Sequence, residues 1–403
     1  MISSKFFHIP SKFEAGTLVP ASPLCVNTFV VSESFMSNIG LYIHVPFCDG
    51  KCAYCSFFSK KAGVAEFDTY TDNLIRVIAL WGASVNRTVD TVYFGGGTPS
   101  LLGHERLVRI IGQVYNRFDV TDNAEVTIEV NPTSTADLDF TELRKAGFNR
   151  LSVGLQSAND DELKILGRRH SADDVEHTVK RAKAAGFDNI SLDVMLAVPE
   201  QTSGSLDKTL EFCASLGVQH ISSYILKVEE GTPFFANRDK LSLFNDDEQA
   251  AFYEQSVYKL AQLGYRQYEI SNFCISGHES RHNLHYWHDD EYLGLGPSAH
   301  SFLDGKRFYY DNSFESFYGN KTVFESYGGD SEEYIMLALR LSEGLRFADY
   351  KERFGHSVSK NLINAAKRIE ENGLCTVTNN SIALTVKGFL VSNSVIAYLI
   401  ENT

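Results

Sequence analysis

The stretch that decides the fold is Tyr42-Ile43-His44-Val45-Pro46-Phe47-Cys48-Asp49-Gly50-Lys51-Cys52-Ala53-Tyr54-Cys55. An apolar run typical of a strand leads directly into a loop that carries Cys48, Cys52 and Cys55. Thiolates select zinc, copper or iron–sulfur clusters. A structural zinc site needs a fourth Cys or His, usually from a second short pair, and the sequence has no such pair. Three cysteines on a four-iron, four-sulfur cluster leave one iron free to bind another molecule. The alternative, three structural cysteines on a turn, fits poorly with a polar loop that contains glycine.

Composition and charge exclude several classes of protein. The chain has 403 residues and a net charge of −14, with 43% hydrophobic and 22% charged residues, as in an ordinary globular protein. The acidic balance argues against a protein that follows nucleic acid by electrostatics. No apolar run is long enough to cross a bilayer, so we expect no membrane span. Of the seven cysteines, the four outside the loop are scattered along the chain, which favours free thiols in the reducing cytoplasm over a disulfide framework.

The first 36 residues differ from the rest of the chain. They contain no Arg and several Ser and Pro, and they match neither a secretory signal nor a mitochondrial presequence. Met36 lies shortly before the first predicted strand. We therefore expect residues 1–36 to be a disordered tail or the result of a start codon assigned too far upstream.

Strands and helices alternate from Leu41 to Ile270 in about six or seven units with short connections. Such alternation predicts a parallel sheet with outer helices, wound as an open sheet or a barrel. Polar or glycine residues repeatedly follow the ends of predicted strands: Cys48, Gly96, Glu129, Gln156 and Asp193. Barrel folds place their chemistry at that edge. We predict an α/β fold with a full or partial (β/α) TIM-like barrel over residues 37–285.

The pattern changes from Tyr286. A Gly-rich loop, Tyr292 to His300, precedes predicted helices and a hairpin turned at Asn379-Asn380. The predicted helices are Glu332–Leu341, Ser359–Glu370 and Lys387–Ile400. Residues 286–403 are therefore predicted to form a small helical, winged-helix-like C-terminal domain. It has no cluster of catalytic groups, so we expect it to pack against the barrel or cover the substrate.

The cysteine loop resembles that of the radical S-adenosylmethionine (radical SAM) superfamily, whose members share the Cys-x3-Cys-x2-Cys spacing after the first strand of a β–α series. Gly95-Gly96-Gly97-Thr98-Pro99, after the next strand, strengthens the resemblance, because glycines let a ligand approach the backbone closely. The resemblance implies a 4Fe–4S cluster on Cys48, Cys52 and Cys55, with SAM on the free iron as the source of a 5′-deoxyadenosyl radical.

Further motifs resemble one subgroup, the oxygen-independent coproporphyrinogen III oxidases and the related HemW heme chaperones. These motifs are Ile-Glu-Val-Asn-Pro at Glu129, Val-Gly-Leu-Gln-Ser at Gln156, Leu-Gly-Arg-Arg-His at Arg168 and Leu-Asp-Val-Met-Leu at Asp193. The resemblance implies that SAM is contacted by Tyr42, Gly96, Gly97, Thr98, Glu129, Gln156, Arg168 and Asp193. Tyr54 is expected to cover the cluster or the adenine of SAM. Taken alone, Glu129 and Asp193 are equally well explained as capping or salt-bridging residues.

Two function hypotheses follow. The oxidases of the subgroup carry a further Cys two residues after the triad, where this chain has Phe57. They also carry a substantial N-terminal element, whereas Met36 here is expected to lead almost directly into the first strand. The chaperones carry a His-Asn-x-x-Tyr-Trp motif connected with heme, which here begins at His282. We therefore predict a heme chaperone that delivers heme to apo-proteins, and keep as the alternative an oxidase that converts coproporphyrinogen III to protoporphyrinogen IX in porphyrin biosynthesis. Phe57 speaks against that enzymatic activity. A zinc-binding structural protein is disfavoured by the missing fourth ligand.

The partners implied by the resemblance are heme or another porphyrin, an apo-protein that receives heme, and a reductant such as flavodoxin or ferredoxin. Imidazole suits heme iron, and we predict His282 as the heme residue. Outside the family context, a histidine beside an aromatic pair is more often a structural residue.

Overall fold

The computed structural model describes residues 38–403, so the expectation for residues 1–36 lies outside the described chain. Its strands are β1 (Ile39–Val45), β2 (Thr88–Gly96), β3 (Asp119–Val130), β4 (Arg150–Gln156), β5 (Ile190–Leu196), β6 (His220–Ile225), β7 (Arg266–Gln267), β8 (Asn272–Cys274), β9 (Tyr292–Leu295), β10 (His300–Leu303), β11 (Lys306–Tyr309), β12 (Val323–Tyr327), β13 (Leu345–Arg346), β14 (Cys375–Val377) and β15 (Ser381–Leu384). Its helices are α1 (Val64–Gly82), α2 (His104–Arg117), α3 (Phe140–Lys145), α4 (Asp160–Ile165), α5 (Ala172–Ala184), α6 (Ser203–Ser215), α7 (Pro233–Ala236), α8 (Asp246–Gln262), α9 (Arg281–Trp287), α10 (Phe314–Tyr318), α11 (Ser331–Ala338), α12 (Phe347–Phe354), α13 (Lys360–Glu370), α14 (Val386–Leu390) and α15 (Ser392–Ile400). No helix of this part of the chain combines the length and apolarity needed to cross a membrane.

The main sheet has the strand order β12-β11-β10-β9-β1-β2-β3-β4-β5-β6-β8-β7. Strands β1 to β6 are parallel neighbours in sequence order, as the predicted β–α alternation requires. Side chains from β2, β3, β4, β5 and β6 line one common cavity, so the sheet curves around it. The terminal strands β12 and β7 do not pair with each other. The α/β fold is thus a partial barrel, as predicted.

The two faces of the parallel strands differ in polarity. In β4, Leu151, Val153 and Leu155 are fully buried in the apolar core, whereas Arg150 and Ser152 line the cavity. This follows from the period-two alternation of side chains along a strand. The outer apolar face packs against the helices, and the inner polar face is available for binding.

Local sequence signals fix where the outer helices begin. Helix α5 starts at a capping box in which the Ser171 side chain accepts from the Asp174 amide and Asp174 binds back to the Ser171 amide. Helix α8 begins with the same arrangement of Asn245 and Glu248. Such caps satisfy amide groups that have no partner within the helix. They determine where these two helices begin.

The main sheet continues beyond residue 285, where the sequence predicts the end of the barrel domain. The segment predicted as a Gly-rich loop contains β9, which pairs in parallel with β1. Its glycines allow close packing rather than a loop: a Cβ on Gly294 would lie 2.1 Å from the carbonyl oxygen of His300, and one on Gly296 would lie 2.4 Å from that of His44. Strands β10 to β12 extend the same sheet to Tyr327. We therefore propose a boundary near residues 328–330 in place of 285.

The C-terminal part combines helices α11 to α15 with a small sheet of order β13-β15-β14. The predicted hairpin is present, as β14 and β15 pair antiparallel. The predicted final helix is two helices, because the chain turns at Val391 between α14 and α15. Gly388 brings α14 directly against the backbone, since a Cβ there would lie 1.9 Å from the carbonyl oxygen of Leu374.

An arginine of α12 joins this part to the main sheet. Arg353 donates to the carbonyl oxygens of His288 (3.1 Å) and Asp289 (2.7 Å) and to the Asp289 carboxylate (2.9 Å). The same buried carboxylate pairs with Arg307 of β11 at 3.1 Å. The C-terminal helices are thus fixed to the loop that follows α9.

Candidate cofactor site

The cysteine loop follows β1 and lines the cavity at the carboxyl ends of the parallel strands. Cys48, Cys52 and Cys55 are partly buried and all three face the cavity. Backbone hydrogen bonds fix the loop at both ends, from the Cys48 amide to the Lys60 carbonyl (3.0 Å) and from the Ala53 amide to the Leu166 carbonyl (3.2 Å). The structure therefore brings the three predicted cluster ligands together on one wall.

The chemistry of this donor set, three thiols on one loop, suits a cluster. Within residues 38–403, no three His, Cys, Asp or Glu side chains converge as ligands of one metal ion do. A four-iron cluster distributes its thiolates over separate irons. Burial raises the pKa of the Cys55 thiol to about 11, and a buried thiol of this kind ionises when a cationic centre binds it. The residues present fit a cluster.

Two predicted SAM residues lie next to the cysteines. Thr98 Oγ1 is 3.5 Å from Cys48 Sγ, and Arg168 Nη1 is 3.5 Å from Cys52 Sγ. The other end of the Arg168 guanidinium donates to the Gly154 carbonyl at 2.8 Å. Arg168 is thus held between the cysteine loop and the end of β4, where its charge faces the cavity.

The glycines after β2 pack against the cysteine loop. Gly96 has φ +107°, and a Cβ there would lie 2.5 Å from the His44 ring; a Cβ on Gly97 would lie 2.5 Å from the Phe47 carbonyl oxygen. The amides of Gly97 and Thr98 donate to the carbonyls of Val45 and Phe47. Only glycine is compatible with these distances and with the positive φ. The glycines therefore hold the loop in place as well as lining the cavity.

Two predicted carboxylates and one amide line the middle of the cavity. Glu129 accepts from the Tyr93 hydroxyl at 2.8 Å, and burial raises the pKa of Glu129 to about 7. Asp193 accepts from Ser152 Oγ at 3.2 Å. Gln156 ends β4 with φ +70°, a conformation that is uncommon outside glycine and that occurs often at functional sites. All three side chains are placed to bind polar groups of a ligand.

The two predicted tyrosines differ in position. Tyr54 lines the cavity beside an apolar cluster that contains Leu166, Met195 and Phe234. This is a suitable surface for an adenine ring. Tyr42 lies outside the cavity wall, where its hydroxyl is bonded to His44 Nδ1 at 3.0 Å. Phe57, the residue that replaces a cysteine of the oxidases, is part of the wall.

The predicted heme residue is deeply buried. His282 is 1% exposed, and its ring stacks on Tyr93 with centroids 5.1 Å apart. Its Nδ1 is bonded to Thr91 Oγ1 and its Nε2 to the Tyr286 hydroxyl, both at 2.9 Å. Ligation of iron by His282 requires one of these bonds to break. Its neighbour Asn283 lines the cavity.

Several residues of the cavity wall are not predicted by the sequence motifs. They are Tyr93, Arg150, Ser152, Ser222, Tyr224 and Asn283. The alternation in Arg-Leu-Ser-Val-Gly-Leu-Gln, residues 150–156, would have indicated an inner polar face, because every second residue is polar or glycine.

Comparison with known proteins agrees with this geometry. The family model of the radical SAM superfamily matches residues 42–213, and that of the HemN C-terminal domain matches residues 331–391. The solved Escherichia coli coproporphyrinogen III oxidase, HemN, aligns with a TM-score of 0.75 at 21% identity over 90% of both chains. This likeness shows the fold. Fold and site together define a radical SAM protein.

Similarity to proteins of known family identifies the family of this chain. The heme chaperone HemW of Bacillus subtilis is 34% identical over 371 residues, which cover 88% of this chain and 97% of that protein. HemW of Mycobacterium tuberculosis H37Rv is 34% identical over 376 residues, which cover 90% of this chain and 94% of that protein. The chain belongs to the HemW heme chaperone family of the radical SAM superfamily.

Proposed function

We propose that this protein is a heme chaperone, which binds heme and delivers it to apo-proteins. The observation that carries the proposal is the similarity to HemW proteins along nearly their whole length. Phe57 supports it, because this apolar side chain lines the cavity where the resemblance would place the extra cysteine of an oxidase. The alternative, coproporphyrinogen III oxidase activity, is supported by the HemN-like fold alone.

The cofactor proposal rests on the arrangement of the wall. Cys48, Cys52 and Cys55 would hold a 4Fe–4S cluster, and its free iron would supply the site at which SAM binds and is reductively cleaved. The side chains that would orient SAM are Thr98, Glu129, Gln156, Arg168 and Asp193, with Tyr54 beside the adenine; all of them line the cavity. A carboxylate such as Glu129 accepts hydrogen bonds from ribose hydroxyls, and Arg168 provides a fixed cation. The backbone of Gly96 and Gly97 completes the pocket.

The remaining partners are proposals of the same kind. A low-potential donor such as flavodoxin or ferredoxin would reduce the cluster, and a reducing compartment, the cytoplasm, suits free thiols. His282 is the proposed iron ligand once its bond to Thr91 or Tyr286 opens.

One experiment separates the two functions. The cluster is reconstituted anaerobically, SAM and dithionite are added, and coproporphyrinogen III decarboxylation is measured beside a heme titration. We expect saturable heme binding without protoporphyrinogen formation. Catalytic turnover of coproporphyrinogen III would contradict the chaperone proposal.

A further inference from the structure

Arg150 is a buried cation on the wall of the cavity. The residue is 2% exposed and lines the cavity together with Ser152 of the same strand. Its Nε is buried without a hydrogen-bond partner, and no ion pair joins its guanidinium to a carboxylate in the described chain. Buried polar groups in proteins nearly always have a partner. The guanidinium therefore has donors available for a bound molecule.

The nearest acidic groups are engaged elsewhere. The Glu125 carboxylate accepts the backbone amides of His282 (3.2 Å) and Arg281 (3.3 Å) at the start of α9. Asp193 accepts the Ser152 hydroxyl. Burial disfavours the charge of Arg150, but Glu125 and other neighbouring groups raise its pKa above the ordinary value. Arg150 is thus a permanent cation. Neighbouring acidic groups stabilise its charge, but within the described residues they accept no hydrogen bonds from its guanidinium.

A second unpartnered polar atom lies beside it. Thr127 of β3 is the register partner of Arg150 in β4, and its Oγ1 is also buried without a hydrogen bond. Side chains two positions apart on a strand face the same side of the sheet. Thr127 is two residues before Glu129 and Arg150 is two before Ser152, and both Glu129 and Ser152 line the cavity. Thr127 and Arg150 therefore lie on the inner face. Ser222 of β6 adds a hydroxyl to the same cavity. Arg150 thus lies among neutral hydroxyl groups: those of Ser152 and Ser222 are in the cavity wall, and that of Thr127 is on the neighbouring strand.

Arg150 lies at the opposite end of β4 from the proposed SAM contact Gln156. Arg150 begins β4, whereas Gln156 ends the same strand, so about six residues of extended chain, roughly 20 Å, separate their Cα atoms. Asp193 is near enough to Arg150 for its carboxylate to raise the pKa of the guanidinium. A planar fork of donors matches a carboxylate. An arginine with a purely structural role would be expected to have its N–H donors paired with protein acceptors.

We propose that Arg150, assisted by Thr127 and Ser222, binds a carboxylate of the molecule that occupies the barrel together with SAM. This inference rests on the proposed function, under which the carboxylate is a propionate of heme. The neutral hydroxyls complete its hydrogen bonds. A tetrapyrrole without free carboxylates would leave Arg150 buried and unpaired.

The test compares hemin with hemin dimethyl ester, which keeps the ring and iron but lacks free carboxylates. Both are titrated into the reconstituted protein, as wild type, Arg150→Met and Arg150→Lys. We expect the wild type to bind hemin roughly tenfold more tightly than the ester, because a charge-assisted hydrogen bond is lost. In Arg150→Met the ratio should fall to about one, and in Arg150→Lys it should be intermediate.

Arg340→Met is the matched control, because Arg340 is also a buried arginine but pairs with Asn393 outside the cavity. It should keep the tenfold ratio even if stability falls. Equal wild-type affinity for hemin and its ester overturns the inference while leaving the chaperone proposal intact. No saturable binding of either ligand would instead contradict the proposed function. SAM affinity is measured in parallel: weaker SAM binding in Arg150→Met with an unchanged hemin-to-ester ratio would assign the cation to the carboxylate of SAM and overturn the inference.

Discussion

Glu129 shows how burial adjusts a single residue of the site. Its carboxyl group has a pKa near 7 in the folded protein, against an ordinary value of 4.5, because burial disfavours the charge. Between these values the unfolded chain loses a proton that the folded protein keeps. The folded state therefore binds more protons, and this residue's contribution to stability falls as pH rises from 4.5 to about 7.

We predict that Glu129→Gln removes this contribution. The free energy of unfolding of wild type minus that of the variant should fall by up to about 3 kcal/mol between roughly pH 4.5 and pH 7, and stay level above it. Urea unfolding of the cluster-free protein at several pH values measures it. Subtracting the variant removes the effect of other buried acids such as Glu269, whose pKa is also raised by burial. A difference independent of pH would contradict the assignment.

At the scale of single residues, the sequence predicts which residues belong to the site better than it predicts the contacts that each side chain makes. The cysteine spacing and the motifs at Glu129 and Asp193 were enough to predict residues that the fold brings to one cavity. Tyr42 could not be placed in this way, because whether a strand residue faces the cavity or a neighbouring histidine depends on packing. Arg150 was missed because an arginine at a strand start normally indicates an exposed position.

At the scale of secondary-structure elements, the glycines after β2 determine how closely this strand packs against the cysteine loop. Gly97 lies against the Phe47 carbonyl, whereas a Cβ on Gly112 in α2 would meet no atom within 4 Å. We predict that Gly97→Ala destabilises the protein by about 2 kcal/mol or more and lowers iron incorporation, because the cysteine loop must move. Gly112→Ala is the control and should stabilise by about 0.5–1 kcal/mol, since alanine favours the helix. Urea unfolding and iron analysis measure both, and equal iron content in the two variants would contradict the role of Gly97.

Helix α9 allows a test of the proposed iron ligand. Tyr286→Phe removes the hydroxyl bonded to His282 Nε2 and leaves the imidazole in place. If His282 ligates iron, this change should raise heme affinity severalfold, because one competing hydrogen bond of about 1 kcal/mol is lost. His282→Ala should weaken heme binding and change the heme absorption spectrum. Heme spectra and affinity unchanged in His282→Ala would show that His282 is a packing residue.

At the element scale the strongly periodic segments were predictable and the short ones were not. The alternating strands and helices up to β6 follow from hydrophobic patterns and caps. The glycines of strand β9 predict a loop, but they serve close packing against His300 and β1, which is a tertiary property. The turn at Val391 likewise carries no Gly or Pro signal.

At the scale of the whole molecule, stability depends on the contacts of Arg353 with His288 and Asp289, which join the C-terminal helices to the main sheet. These contacts are called the joint. We predict that Arg353→Met lowers the free energy of unfolding by about 2 kcal/mol, because hydrogen bonds to two carbonyls and a buried carboxylate are lost. It should also make the chain more sensitive to proteases near residues 328–330. Arg346→Met is the control and should cost less than about 0.5 kcal/mol, since the only ion pairs of Arg346 with residues 38–403 are exposed ones with Glu343 and Asp349. Equal effects of the two changes in urea unfolding and limited proteolysis would contradict the joint.

The architecture as a whole was predictable because a β–α alternation has few possible topologies. The extent of the sheet was not, since strands β9 to β12 return to the edge beside β1 from far along the chain. Long-range pairing of this kind leaves no periodic signal where the domain ends.

The most direct test of the central claim is heme transfer. Reconstituted protein loaded with hemin is mixed with an apo-hemoprotein, and the absorption spectrum of the acceptor is followed. We predict that the protein binds hemin saturably and passes it to the acceptor, while coproporphyrinogen III is left unchanged under the same conditions with SAM and reductant. Failure to bind hemin, together with conversion of coproporphyrinogen III to protoporphyrinogen IX, would contradict the account.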